Sequence, residues 1–166
     1  MDKNGVFEYL DSAGVPYERV EHGAVFTVED MDALSLPHPE AEAKNLFLRD
    51  QKKQNYYLLT ARADVPIKIK EFEKTVGAKH LSFASEDDLM SIMGLVRGSV
   101  TPFGVFNDAE TVVKVYIDSY FDRKLIGVHP NENTATVYLS ANSLVEMIRA
   151  HGNTAEFIDI AITDEV

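Results

Sequence analysis

Lys44-Asn45-Leu46-Phe47-Leu48-Arg49, then the polar stretch Asp50-Gln51-Lys52-Lys53-Gln54-Asn55, then Tyr56-Tyr57-Leu58-Leu59-Thr60-Ala61, decides the architecture of this chain. Two apolar or alternating runs of strand length, Asn45 to Arg49 and Tyr56 to Ala61, joined by a short polar segment, predict an antiparallel hairpin. Lys44 then sits at the open end of that hairpin. A lysine at a strand end ordinarily points to water, so Lys44 gains meaning only from what the fold brings beside it.

The flanking sequence supplies helices and further strands. Val6, Phe7, Leu10 and Ala13, followed by Gly14, have the spacing and stop of a short amphipathic helix, and Tyr17 to Glu21 alternates as a strand. Thr27 with Asp30 approximates a capping box for a helix reaching Leu34, and Leu36-Pro37-His38-Pro39 breaks it. Beyond the hairpin, Pro66 to Val76 reads as a helix that begins at proline and stops at Gly77, followed by a short strand at Leu81 to Phe83. Ser85-Glu86-Asp87-Asp88 is a better capping box and leads into Leu89, Ile92 and Met93, ending near Gly94. Strands are expected at Val112 to Ile117, Leu125 to Val128, Ala135 to Leu139 and Phe157 to Ile160, with a helix capped by Ser140. Strands with interspersed helices and hairpin-like junctions predict a single-domain α+β fold built on a mixed β-sheet with surrounding helices, over a doubly wound parallel one.

Composition bounds the function. The 166 residues, 45% hydrophobic, suit one domain spanning 1–166. Neither a signal-length apolar run at the N-terminus nor a stretch near the roughly 20 apolar residues of a membrane span is present, so a soluble, cytoplasmic protein is expected, with no membrane partner. Cysteine is absent, which removes disulfides, thiolate metal ligands and a cysteine nucleophile. The five histidines are scattered, with no pair at one-turn helical spacing, so no metal is expected. A net charge of −11 opposes a protein that grips long nucleic acid, DNA included, but leaves room for a short contact. Lys52, Lys53, Lys68, Lys70, Lys74, Lys79 and Arg97 concentrate positive charge mid-chain, while Asp164 and Glu165 help make the C-terminus acidic. No Gly-x-Gly-x-x-Gly or P-loop follows a strand, and Ser99 lacks the Gly-x-Ser-x-Gly elbow of a serine triad.

Two further segments could complete a polar site around Lys44. Gly98-Ser99-Val100-Thr101-Pro102 has glycine where backbone can approach a partner closely and proline to fix its exit; its amides could line an oxyanion site, or it could be an ordinary turn leaving a helix. His129 precedes Pro130, which holds its backbone extended and could aim the imidazole into a cleft, or it simply ends a strand. Asn133 and Thr134 could satisfy turn amides or bind ligand hydroxyls. The residues alone lead to a small α+β domain with a candidate anion or acyl site.

Taken together, these segments resemble the YbaK/ProX family of aminoacyl-tRNA deacylases, related to the editing insert of bacterial prolyl-tRNA synthetases. The resemblance runs from His22 to Gly152. It rests on Glu21-His22 with Val25 to Glu29, Lys44 to Asp50, Gly77-Ala78-Lys79 with Leu81 to Ala84, the Gly-x-x-x-Pro loop Gly98 to Pro102, and His129-Pro130 with Asn133 to Thr136. The Lys-Asn-Leu-Phe-Leu form resembles the branch that removes alanine from proline tRNA rather than the branch acting on cysteinyl-tRNA. One departure is Ala43, preceded by Glu42, where family members often carry a small polar residue before the lysine. The resemblance implies that Lys44 positions the terminal adenosine and the ester, that the amides from Gly98 through Ser99, Val100 and Thr101 to Pro102 hold the carbonyl oxygen, that His129, Asn133 and Thr134 line the aminoacyl or ribose side, and that Asn45 binds substrate. Phe26 and Thr27 would close the pocket. It implies no metal or organic cofactor, a contact with the acceptor end of proline tRNA, and a transient association with prolyl-tRNA synthetase. It leaves the oligomeric state open. The alternatives are a catalytically silent module that binds aminoacyl-tRNA or a nucleotide, and a deacylase with cysteinyl-tRNA preference.

Overall fold

The hairpin forms as its sequence dictates and becomes the middle of the larger of two sheets. The computed structural model describes residues 1–160; Asp164, Glu165 and the rest of the predicted domain's last six residues lie outside them. Strands β1 (Tyr17–Glu21), β2 (Ala43–Arg49), β3 (Tyr56–Arg62), β4 (Ser82–Phe83), β5 (Val113–Asp118), β6 (Leu125–Val128), β7 (Ala135–Ser140) and β8 (Ala155–Ile158) alternate with helices α1 (Lys3–Ser12), α2 (Val28–Ala33), α3 (Ile69–Val76), α4 (Glu86–Met93) and α5 (Ala141–His151). The five-stranded sheet has the order β4-β2-β3-β5-β8, antiparallel on the hairpin side and parallel from β3 through β8. The other sheet, β1-β7-β6, is fully antiparallel. The α+β class and the mixed sheet hold, and the strands outside the mixed sheet form a second, antiparallel one.

The reason lies in how each strand is covered. Along β3, five successive residues from Tyr57 to Ala61 are buried, because both faces of the larger sheet are packed. One face joins the main core, where Phe47, Leu58, Val115 and Ile117 meet residues of the smaller sheet, α1, α4 and α5. The opposite face carries Leu48, Tyr57 and Leu59, and α3 closes it with Phe72, whose ring stands edge-on to Tyr57 and Tyr116. Full burial of a side chain of Phe72's size contributes roughly 1.5–3 kcal/mol.

Several local expectations are corrected. Helix α3 starts at Ile69 rather than Pro66, with Lys68 as an extended N-cap that makes no side-chain cap bond. Thr27 forms the complete capping box: its hydroxyl accepts from the Asp30 amide at 3.1 Å, while Asp30 Oδ2 accepts from the Thr27 amide at 3.3 Å and the Phe26 amide at 3.0 Å. At Ser85, the supposedly stronger box, only the Ser85 oxygen accepts from Asp88, at 3.0 Å, and Asp88 Oδ2 is buried without a partner. The loop after α4 runs into a 3-10 helix, Pro102–Asn107.

Besides their packing in the main core, the two sheets are joined among the described residues by one isolated parallel bridge, Glu42 to Gly127. Beyond it the strands do not continue to pair, and the opening between them is the site.

Candidate active site at the seam of the sheets

Four segments converge where β2 and β6 separate. The start of β2 contributes Ala43, Lys44 and Asn45; the loop after α4 contributes Gly98 and Val100; the end of β6 leads into His129; and the approach to α2 contributes Val25, Phe26 and Thr27. They enclose a cleft of about 220 Å³, below the roughly 300–1,000 Å³ of common ligand pockets. A second hollow of about 530 Å³ adjoins it, sharing Asn45, Gly98 and Val100 and walled by Phe47, Leu89 and the exposed Phe83.

Lys44 is half-buried and pairs in register with Ala61. Its ammonium donates to the Val65 carbonyl. Burial pulls its pKa below the ordinary lysine value, while the Asp64 charge opposes that shift. Asn45, one residue on, accepts from the Thr60 hydroxyl at 2.6 Å through Oδ1, so its amide NH₂ remains to donate.

Gly98 has φ +89, a conformation that disfavours any side chain, and a Cβ there would lie 2.9 Å from Cδ1 of Phe26. Phe26 is 69% exposed and lies over the glycine as a cover. The Ser99 amide is spent on the Val96 carbonyl at 3.0 Å, whereas the amides of Gly98 and Val100 meet no protein acceptor among the described residues. Two backbone donors without a protein acceptor, on residues that line the same cleft as Lys44, form an arrangement that can receive a developing oxyanion.

His129 is largely buried, and burial holds its pKa below the ordinary histidine value, helped slightly by His22. Its Nδ1 lies 3.0 Å from the Ala135 carbonyl. A carbonyl only accepts, so the proton sits on Nδ1 and Nε2 keeps a lone pair. The His22 ring stands edge-on with centroids 6.1 Å apart, its own nitrogens engaged with the Gly23 carbonyl at 2.7 Å and the Thr136 hydroxyl at 2.8 Å.

Lys44, Gly98 and His129 therefore line one cleft, as do Phe26, Thr27, Asn45 and Val100. Ser99, Thr101, Pro102, Asn133 and Thr134 do not line it. Thr101 is fully buried and donates to the His129 carbonyl at 2.6 Å, tying the glycine loop to the histidine. Asn133 donates to the Val25 carbonyl at 2.8 Å and holds the approach to α2. Thr134 accepts from Lys3 at 3.0 Å and donates to Glu132 at 2.9 Å. Thr27, though in the wall, spends its oxygen on the helix cap.

Sequence reasoning missed Glu42 and Met31, which also line the cleft. Glu42 accepts from the Tyr138 hydroxyl at 2.7 Å through Oε1, and Oε2 is buried without a partner. Burial raises its pKa, and Asp32 and Glu40 add to the rise. The available signal was strand alternation, which puts Glu42 on the same face as Lys44. Among the described residues no group of three His, Cys, Asp or Glu could hold a metal ion, and no helix is long and apolar enough to cross a membrane.

A half-buried cation, unspent amides and a neutral imidazole around a small cleft, at the seam of two sheets, are the features of a site for acyl transfer without an enzyme nucleophile. The chain belongs to the aminoacyl-tRNA editing domain family, whose model matches residues 22–147. It is 40% identical over 159 residues to the prolyl-tRNA editing protein ProX of Acetoanaerobium sticklandii, covering 95% of this chain and 97% of that one. It is 35% identical over 153 residues to the prolyl-tRNA synthetase associated domain-containing protein 1 of Mus musculus, covering 87% and 88%. Among solved structures, a candidate trans-editing enzyme for prolyl-tRNA synthetase shares the fold, with TM-score 0.72 and 18% identity over 95% of both chains.

Proposed function

We propose that this protein is a free-standing deacylase that removes alanine from mischarged proline tRNA in the cytoplasm, after release from prolyl-tRNA synthetase. The observation that carries this reading is the convergence of Lys44, the Gly98 and Val100 amides and His129 on one small cleft. A synthetase pocket for proline cannot strongly reject a smaller amino acid, because each missing methylene is worth only about 1–3 kcal/mol. A second site that admits alanine and is too small for proline supplies the remaining discrimination. Ala43, Ala63, Val25 and Val100 give this cleft short apolar walls suited to a methyl group.

In the proposed reaction the ester carbonyl faces the Gly98 and Val100 amides, the adenosine takes the adjoining larger hollow, and Lys44 orients the ester from the other side. Water adds to the carbonyl carbon, and its proton passes toward the neighbouring ribose hydroxyl. The tetrahedral oxyanion is held by the two amides. The carbon–oxygen bond to the ribose then breaks; the ribose oxygen takes a proton and alanine leaves as the carboxylate. His129 Nε2 accepts a hydrogen bond from the ribose or the α-amino group and fixes the pose. Lys44 acts as a charged orienting group, so neither a nucleophile nor a neutral lysine is required.

The test is a panel of alanyl-, cysteinyl- and prolyl-tRNA, all carrying the proline anticodon. Alanine should be released fastest and proline left intact. Preferential release of cysteine would move the protein to the other specificity, and release of proline would contradict size exclusion by the cleft.

A further inference from the structure

Positive charge is segregated in this acidic chain, and the fold gathers part of it at the end of the hairpin away from the cleft. Residues 44–80 hold nine Lys or Arg against four Asp or Glu, a net of +5 in a chain of −11. Two hollows of about 290 and 310 Å³ share Ala78, Lys79 and His80; Lys52 edges the first, Lys70 and Lys74 the second. Lys52, Lys70, Lys74, Lys79 and His80 are all exposed.

The carboxylates in these hollows are occupied by the fold itself. Asp50 accepts from the Gln54 amide at 2.8 Å and the Asn55 side chain at 2.7 Å, and Glu73 accepts from the Leu81 amide at 2.8 Å. Lys70 has the buried Glu73 at 3.8 Å and Lys74 has Glu71 at 3.4 Å, and because both ammonium groups are exposed to solvent neither pair holds its lysine strongly. Lys52, Lys79 and His80 have no carboxylate within ion-pair distance among the described residues.

We propose that this double hollow, at the opposite end of β2 from Lys44, docks the sugar-phosphate backbone of the tRNA acceptor arm while the aminoacyl ester occupies the cleft. The inference rests on the proposed function and adds where the rest of the substrate lies. From Lys44 to Asp50 is six residues of strand, about 20 Å at roughly 3.3 Å each. Stacked nucleotides rise about 3.4 Å along one strand, so phosphates about six nucleotides from the ester reach the lysines. That span covers the unpaired 3′ end and the first base pairs. The acidic remainder of the protein repels the rest of the tRNA, which confines the contact to the acceptor arm.

The experiment measures binding of uncharged proline tRNA to the full chain by fluorescence anisotropy across a potassium chloride series. It compares the native protein, a Lys52→Gln, Lys74→Gln, Lys79→Gln variant, and a control with Arg19→Gln, Arg123→Gln and Lys124→Gln, which loses the same charge elsewhere. The hollow variant should bind about tenfold or more weakly, with its log–log salt slope reduced by about one unit per lysine, and the control should stay close to native. Hydrolysis of 3′-O-alanyl-adenosine, which lacks the arm, should be unchanged in the hollow variant. Equal weakening by both variants, or unchanged tRNA binding by the hollow variant, would overturn the inference. Because uncharged tRNA reports on the surface without turnover, failure to hydrolyse any ester would count against the proposed function and leave the docking result standing.

Discussion

Lys44 and His129 each lie two residues beyond the same contact, the isolated parallel bridge between Glu42 and Gly127. Had β2 and β6 gone on pairing, the two would be neighbours in one sheet. Their strands part instead, and the gap holds the cleft. The bridge needs a glycine for a steric reason, since a Cβ on Gly127 would fall 2.6 Å from the ring of Tyr138, which is buried and donates to Glu42. Gly127→Ala is therefore expected to destabilise the protein by about 1–3 kcal/mol through overpacking. Urea unfolding would measure this, and deacylation should fall as the Glu42 end of β2 is displaced.

Glu42 is a cost to stability at neutral pH. Its folded pKa is raised while the unfolded carboxyl is ordinary, so its favourable contribution is present at acid pH and is lost as pH rises through the folded value. Glu42→Gln keeps an acceptor for the Tyr138 hydroxyl and removes the charge. It should raise stability at pH 8 by about 1 kcal/mol or more, with the gain shrinking toward pH 4. Thermal melts across that range would check this, and a gain independent of pH would count against a carboxylate origin.

His129 has the opposite sign. Its folded pKa is depressed, so its contribution to stability is present above the ordinary histidine value of about 6.5 and is lost as pH falls through the lower folded value. Deacylation should show an acid limb in the same window, because protonation removes the Nε2 lone pair. His129→Gln should abolish that limb and lower the rate by about 10–100-fold, as expected for a group that positions substrate. A pH–rate profile of both proteins would decide it.

Gly98→Ala combines a backbone cost with a steric one. The left-handed backbone disfavours alanine by about 1 kcal/mol, and the new methyl would press on Phe26. Because Phe26 is exposed, it can move aside. Adding Phe26→Ala should therefore recover little stability, and the loss of activity should persist because the loop amides remain displaced. A double-mutant cycle read in both stability and deacylation would separate the two effects.

How much of this was legible in the sequence depended on the distance between partners. The hairpin around Asp50 to Asn55 and the caps at Thr27 and Ser140 are local, and they form where the sequence predicts them. The second sheet is not local, because β1 pairs with β7 across more than a hundred residues and nothing in Tyr17 to Glu21 names that partner. For Glu42 the strand pattern shows its face, but the Tyr138 hydroxyl that holds it is 96 positions away and nothing local names that partner. Thr101 and Asn133 carry ligand-binding chemistry in a turn context, yet the fold uses them on the His129 and Val25 carbonyls. The contribution of Lys44 was legible only through the company of Gly98 and His129.

The most direct test of the central claim is single-turnover release of alanine from alanyl-tRNA with the proline anticodon, comparing native protein, Lys44→Ala and buffer. The native protein should release alanine far faster than buffer. Lys44→Ala should lose about 100–1,000-fold in rate while melting as a folded protein. Release no faster than in buffer, or full activity in Lys44→Ala, would contradict the account.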